Sequence, residues 1–283
     1  MLLQTKNEAS VKTRDQYTNL LFLHIPKCGG TSFTQLITKQ LGECRYFQNG
    51  KALESNLQQD FGNIPAIGGH FYHFEVRELF PGRKRIVLLR DPLQRLISSY
   101  KYAHFAVMTE PDKATKDQRA MTAMTFEDYF RSENSRSEKH MAMFMLGLRS
   151  TDKAREIEMS LLFRQACQNL GDYKVGTVEN LDEFVKSIPE LQSEVREPTE
   201  IPKENVSEDR SVSPDIDLDE GFLAECREDL KYDFLFYDYA RFLSNDQIGS
   251  KPDVRSLENN QNTTSDSTNV MARMRKWLTA QPG

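Results

Sequence analysis

Apolar positions along the chain fall into two alternating patterns. Short unbroken runs come first: Asn19-Leu-Leu-Phe-Leu-His24, Ile64-Pro-Ala-Ile-Gly-Gly69, Arg85-Ile-Val-Leu-Leu-Arg90 and Tyr173-Lys-Val-Gly-Thr-Val178. Each is bounded by glycine, proline or polar residues, the profile of a buried strand. Between them apolar residues return every three or four positions, as helices require. Phe33, Leu36, Ile37 and Leu41 form one such stripe behind the first run, and Leu93, Leu96, Ile97 and Tyr100 form another behind the third. Further helical patterns cover 126–131, 138–146, 154–169, 181–188 and 220–230. Strands alternating with helices predict an α/β fold, a parallel sheet flanked by helices on both faces.

The periodic region sits between polar flanks. Residues 1–18 are polar and aperiodic and read as a flexible N-terminal tail, so the domain is expected over 19–244. Residues 245–269 are rich in Ser, Asn, Asp and Thr and cannot bury enough apolar surface to order themselves. They open a disordered C-terminal tail, 245–283, that ends in a short amphipathic helix with Val270, Met271, Met274, Trp277 and Leu278 on one face. Such a helix can touch anionic lipid or a partner, but docking on its own domain or simple disorder is the expectation. The polar stretch from Thr109 to Ala123 reads as a surface excursion.

Composition narrows the function. Of 283 residues, 37 are Lys or Arg and 42 are Asp or Glu, a net charge of −5. Nucleic-acid binding, which needs a basic surface, is not expected. No run approaches the roughly 20 apolar residues of a membrane span, and the first residues lack the apolar core of a signal peptide. Cys28, Cys44, Cys167 and Cys226 are scattered without C-x-x-C spacing, so neither a disulfide scaffold nor a metal site is expected. A reducing, cytoplasmic setting follows.

Two motifs carry chemistry. The first is His24-Ile-Pro-Lys-Cys-Gly-Gly-Thr-Ser32, between a strand and a helix. Consecutive glycines let the backbone approach a ligand, and the helix start behind them offers free N–H groups and partial positive charge. Lys27 adds a full charge; Thr31 and Ser32 add hydroxyls. The device suits a phosphate or sulfate, although a plain tight turn would use some of the same residues. It differs from G-x-x-x-x-G-K-[ST], because the lysine precedes the glycines. The second motif is Arg90-Asp-Pro-Leu-Gln-Arg-Leu-Ile-Ser-Ser-Tyr100. Asp91 and Pro92 are a natural helix cap and first turn. Arg90 falls at the carboxyl end of a strand, where open α/β sheets bind ligands, and Ser98 lies two helical turns on. The plain alternative is a capped helix with an arginine paired to a carboxylate.

Together HIPKCGGTS and RDPLQRLISSY resemble the 5′- and 3′-phosphate-binding elements of sulfotransferases that use 3′-phosphoadenosine 5′-phosphosulfate. The spelling is nearest the carbohydrate branch typified by heparan sulfate 2-O-sulfotransferase. The segments from Val175 and from Asp233 also resemble parts of that family, so the likeness spans about 19–243. The resemblance implies a P-loop-like sulfotransferase fold and sulfuryl transfer from that donor, without a metal, to a hydroxyl of a carbohydrate or glycoconjugate. It implies Lys27 at the bridging oxygen of the phosphosulfate, Gly29, Gly30, Thr31 and Ser32 on the 5′-phosphate, and Arg90 and Ser98 on the 3′-phosphate. His70, closing Gly68-Gly69-His70, stands where this branch has its catalytic base, and neutral imidazole suits that task. His73 reads as packing and His24 as orienting the turn. An ATP-dependent small-molecule kinase and a silent nucleotide- or glycan-binding relative are the alternatives. Asp215-Ile-Asp-Leu-Asp-Glu-Gly221 imitates a calcium loop, but its glycine is one place late and it reads as an acidic helix start.

Overall fold

The first apolar run becomes a strand with all four residues buried, Leu20–Leu23 (β1), and β1 lies at the centre of the sheet. The computed structural model describes residues 19–149, 157–192 and 214–248. Residues 1–18, 193–213 and the terminal segment with its expected helix at 270–278 lie outside the described residues. Around β1 run β2 (Arg45–Phe47), β3 (Ala66–Gly69), β4 (Lys84–Leu89) and β5 (Tyr173–Thr177), in the order β2-β3-β1-β4-β5 and all parallel. Buried on both faces, β1, β3 and the Ile86–Leu89 part of β4 are continuous runs without polar alternation, whereas the edge strand β2 is only partly buried. The expected parallel α/β sheet is thereby present.

Helices cover both faces: α1 (Gly30–Leu41), α2 (Gly50–Glu54), α3 (His73–Leu79), α4 (Pro92–Thr109), α5 (Lys116–Thr122), α6 (Phe126–Arg131), α7 (Arg136–Lys139), α8 (Met141–Gly147), α9 (Met159–Leu170), α10 (Leu181–Lys186), α11 (Glu220–Asp229) and α12 (Lys231–Ile248). The main core joins the strands to α1, α8, α9 and α12. A second cluster joins Leu96 and Tyr100 of α4 to Phe126, Phe130, Phe222 and Cys226.

Three local expectations change. The stretch from Thr109 to Ala123 does run over the surface, but as helix and not as irregular chain. There α4 runs to Thr109, and α5 opens with a reciprocal cap between Thr115 and Gln118 and buries Met121 in the second cluster. One apolar anchor leaves no periodicity to read, although it suffices to dock the helix on α4. The pattern over 138–146 is two helices, because His140 leaves helical dihedrals and bonds Asp233 (Nδ1 to Oδ2 2.7 Å). Disorder does not begin at Asn245, since α12 continues to Ile248. Gln247 there accepts from the Val175 N–H (2.9 Å) and donates to the Tyr173 carbonyl (3.0 Å), satisfying the open edge of β5. The calcium-like run is a helix start, as read: the Asp219 carboxylate caps α11 by accepting from the Phe222 N–H at 2.7 Å.

Candidate active site

The sequence-predicted site residues follow the carboxyl ends of strands or open the helices behind them, except Ser98, which lies two turns into α4. His24 and the glycine loop follow β1, His70 follows β3, and Arg90 follows β4, the edge at which open α/β sheets take their ligands. The chain leaves β1 for one side of the sheet (β2, β3) and crosses to the other (β4, β5), so the loop sits at the reversal of strand order.

The loop is shaped by two left-handed residues. Lys27 has φ 65° and Gly29 φ 72°. Glycine takes that conformation freely; for lysine it costs about 1–2 kcal/mol. Alternation of this kind turns successive N–H groups to one side as an anion nest. Gly29 also caps α1 without any side-chain hydrogen bond, and the first turn of α1 carries no acidic residue. The donors of Gly30, Thr31 and Ser32 thus open a twelve-residue helix at its positive end. Thr31 is exposed and Ser32 buried. Gly30 is required for another reason: a Cβ there would stand 1.9 Å from Nε2 of His24.

Two cations converge on the loop. The Lys27 ammonium lies over the Tyr102 ring, 3.9 Å from its centroid. An Nη1 of Arg90 makes a long contact with the Lys27 carbonyl, 3.5 Å. Burial, then the Arg90 charge, push the Lys27 ammonium down to about 8. Two like charges held together at a helix start are a poor arrangement unless an anion sits between them. Asp91 caps α4 by accepting from the Gln94 N–H at 2.9 Å. Ser98 is half-buried on α4 and no hydrogen bond ties it to Arg90. Behind Arg90 a small cavity is lined by Leu89, Pro92, Arg95, Lys139, Phe236 and Tyr237, among others. Cys28, in the loop, is fully buried and burial raises its thiol to about 12, so it is packing and not a nucleophile.

Three side chains form a hydrogen-bonded chain beside the loop. His70 Nδ1 lies 2.8 Å from the His24 carbonyl, His70 Nε2 lies 3.0 Å from the Tyr46 hydroxyl, and that hydroxyl lies 2.6 Å from His24 Nδ1. The two imidazoles stack with centroids 4.4 Å apart. A carbonyl only accepts, so His70 carries its proton on Nδ1 and keeps a lone pair on Nε2. Tyr46 therefore donates to His70, and His24 donates to Tyr46. Burial lowers His70 below the ordinary 6.5 and lowers His24 to about 3, so both rings are neutral at pH 7. Tyr46 had escaped sequence reading. Its strand is three residues long, too short for a period to show, and a lone tyrosine after a helix carries no signal of its own.

His73 packs as expected, fully buried against Phe74 and Tyr173, with Nδ1 3.1 Å from the Tyr173 hydroxyl. Burial lowers it to about 4. His24 and His73 thus resist protonation that the unfolded chain accepts from pH 6.5 downward. Their contribution to stability is complete at neutral pH and falls as pH drops through that window, by up to about 1.4 kcal/mol per pH unit for each ring. Urea midpoints at pH 7, 6 and 5 should fall accordingly, and less steeply in His73→Phe; a midpoint independent of pH in this range would contradict the buried neutral rings.

Among the described residues no group of three His, Cys, Asp or Glu side chains is arranged to hold a metal ion, and no helix is long and apolar enough to cross a membrane. A left-handed loop and helix start at the carboxyl edge of an all-parallel sheet give an α/β protein whose candidate site has the geometry of an anion nest. The sequence profile of the sulfotransferase family matches residues 10–240, well over half the chain, and the protein belongs to that family. A comparison with curated proteins finds no match. Membership makes the chain a transferase that moves a sulfuryl group to a hydroxyl-bearing acceptor.

Proposed function

We propose that the domain over residues 19–244 transfers the sulfuryl group of 3′-phosphoadenosine 5′-phosphosulfate to a hydroxyl of a carbohydrate or glycoconjugate. The observation that carries this reading is the convergence of Lys27 and Arg90 on a left-handed loop whose helix start has no side-chain cap. The donor is a polyanion with phosphate groups at two ends, and the residues present suit it. Gly29, Gly30, Thr31 and Ser32 offer donors for the 5′-phosphate, Lys27 a charge for the bridging oxygen, and Arg90 with Ser98 a grip on the 3′-phosphate. When bound, the donor supplies an activated sulfur for in-line attack by the acceptor oxygen. The protein's part is positioning and electrostatics, as in phosphoryl transfer. His70 is the base on which the proton released by the acceptor ends: its Nδ1–H is held by the His24 carbonyl, which leaves the Nε2 lone pair to take up a proton. Four cysteines standing as free thiols support a cytoplasmic setting.

The test compares adenosine 3′,5′-bisphosphate with ADP and with ATP plus Mg²⁺ by calorimetry and thermal shift. The bisphosphate should bind best, adding about 2.7 kcal/mol of stability at a hundred times its Kd. Arg90→Ala should weaken it about ten- to hundredfold while leaving ADP affinity nearly unchanged, as loss of a charged hydrogen bond implies. Transfer of labelled sulfur to desulfated polysaccharides and simple glycosides then identifies the acceptor. A preference for ATP would turn the reading toward a kinase, and bisphosphate binding without transfer toward a silent module.

A further inference from the structure

The Tyr46 hydroxyl occupies the one lone pair that a base at His70 has to offer. Its hydrogen is committed to His70 Nε2 at 3.0 Å, because its oxygen already accepts from His24 Nδ1–H at 2.6 Å. An acceptor hydroxyl arriving at His70 must either displace Tyr46 or hand its proton to Tyr46.

Three features favour the second course. The oxygen of Tyr46 has a further lone pair, and the side chain is only partly buried, as His70 is. The chain is held at every joint: His24 is buried, stacked on His70 and on Phe22 (centroids 5.5 Å), and wedged over Gly30, where no Cβ could be accommodated. Moving Tyr46 away would strand the buried Nδ1–H of His24. The strand below is also in register for it, with Tyr46 paired to Gly68 of β3, two residues before His70, and no glycine side chain between the phenol and the imidazole.

We propose that Tyr46 is a proton-relay residue, receiving the acceptor's proton on its oxygen as it passes its own to His70. This rests on the sulfuryl-transfer reading above. In the step, the acceptor oxygen forms a bond to sulfur while the bond from sulfur to the 5′-phosphate oxygen breaks, and that electron pair leaves with the nucleotide. The acceptor O–H proton moves to Tyr46 Oη, and the Tyr46 proton moves to His70 Nε2. Tyr46 ends as it began, a neutral phenol, and His70 ends as imidazolium with Nδ1–H still on the His24 carbonyl. Burial raises the Tyr46 phenol far above neutrality, which suits a group that gives and takes a proton at once and never stands as the anion. His24, lowered to about 3 by burial, does not take the proton and serves as the positioning residue that points the Tyr46 hydrogen at His70.

The experiment has three readouts on the full chain. In the free protein, nitrogen-15 histidine spectra should show both His24 and His70 as Nδ1–H tautomers. Proton on Nε2 of His70 would overturn the proposal whatever the donor. With the acceptor found by labelled-sulfur transfer, Tyr46→Phe should lose about a hundredfold in kcat, the scale of general acid–base catalysis, with acceptor KM and bisphosphate affinity unchanged. That retained affinity shows the variant is folded. A kcat within twofold of wild type would mean that the acceptor displaces Tyr46, and would overturn it. In single turnovers of the wild type, rates in mixtures of H₂O and D₂O should depend on the deuterium fraction with the curvature of two protons in flight. A linear dependence, or none, would overturn it. Failure of bisphosphate to bind would instead sink the sulfuryl-transfer reading, leaving the tautomer result to stand alone.

Discussion

Lys27→Ala should lower kcat by about 10²–10³-fold, the usual loss when one group stabilising charge on a developing oxyanion is removed. Donor affinity should fall far less. The reason is the timing of the charge. In the bound donor the bridging oxygen is neutral in its bonding to sulfur, and it gains negative charge only as the bond breaks. A contact that strengthens along that path lowers kcat when lost and leaves the ground state little changed, whereas equal losses in rate and affinity would show uniform binding. The pH profile gives a second signature. Lys27 is lowered to about 8 by burial and then by Arg90, and its charged form is the useful one. In the free enzyme kcat/KM should therefore fall as pH rises through about 8, and it should fall again below the lowered range of His70 as pH drops. Lys27→Ala removes the upper limb and keeps the lower one. Lys27→Gly separates chemistry from fold. Glycine relieves the left-handed backbone, so this variant should be more stable than Lys27→Ala by about 1 kcal/mol and no more active.

Glu138→Ala should cost about 3–5 kcal/mol of stability, the scale for removing one partner of a buried ion pair. Arg95 is only 2% exposed, although it carries a guanidinium, and it sits on α4 one turn past Arg90. Its Nη1 reaches a Glu138 oxygen at 3.4 Å, its Nη2 has no hydrogen-bond partner among the described residues, and the same carboxylate oxygen accepts from the Ser99 hydroxyl at 2.8 Å. Without Glu138 the guanidinium would remain buried without that carboxylate. At about 2–4 °C per kcal/mol for a chain of this size, the melting temperature should drop by about 6–20 °C. Arg95→Met combined with Glu138→Ala should recover most of the loss, because an apolar side chain of similar length fills the site without a charge to solvate. A double variant as unstable as Glu138→Ala alone would show that the loss lies in packing around α7. The pair matters for function because α4 carries Ser98 and follows directly from Arg90.

The glycine-loop half of the candidate site was legible because it is local. Lys27, Gly29, Gly30, Thr31 and Ser32 act through one turn and the helix start behind it, and Arg90, Asp91 and Pro92 act through one strand end. Neighbours in sequence are neighbours in space there, so spacing alone conveys the chemistry. The same holds for β1, β3 and β4, whose buried residues form unbroken runs, but not for β2, whose three partly buried residues leave no run to read. Helix ends were less legible wherever a single side chain decides them. His140 breaks one helix to meet Asp233, Met121 holds α5 against α4, and Gln247 draws α12 onto the edge of β5.

By itself, then, the order of residues determined a parallel α/β sheet, a tight strand-to-helix turn with a lysine and two glycines, and a histidine at the end of a neighbouring strand. These depend on periods and on residues a few positions apart. Only the tertiary structure decided that Tyr46 stands between His24 and His70, which tautomers those rings adopt, that Lys27 lies over Tyr102 with its ammonium weakened, and that Arg95 is buried beside Glu138. Each of these is a contact across 22 to 75 positions of chain, such as His24 to Tyr46 or Lys27 to Tyr102. Strand pairing and helix packing create them, and no local spacing encodes which distant side chain will be carried to the site.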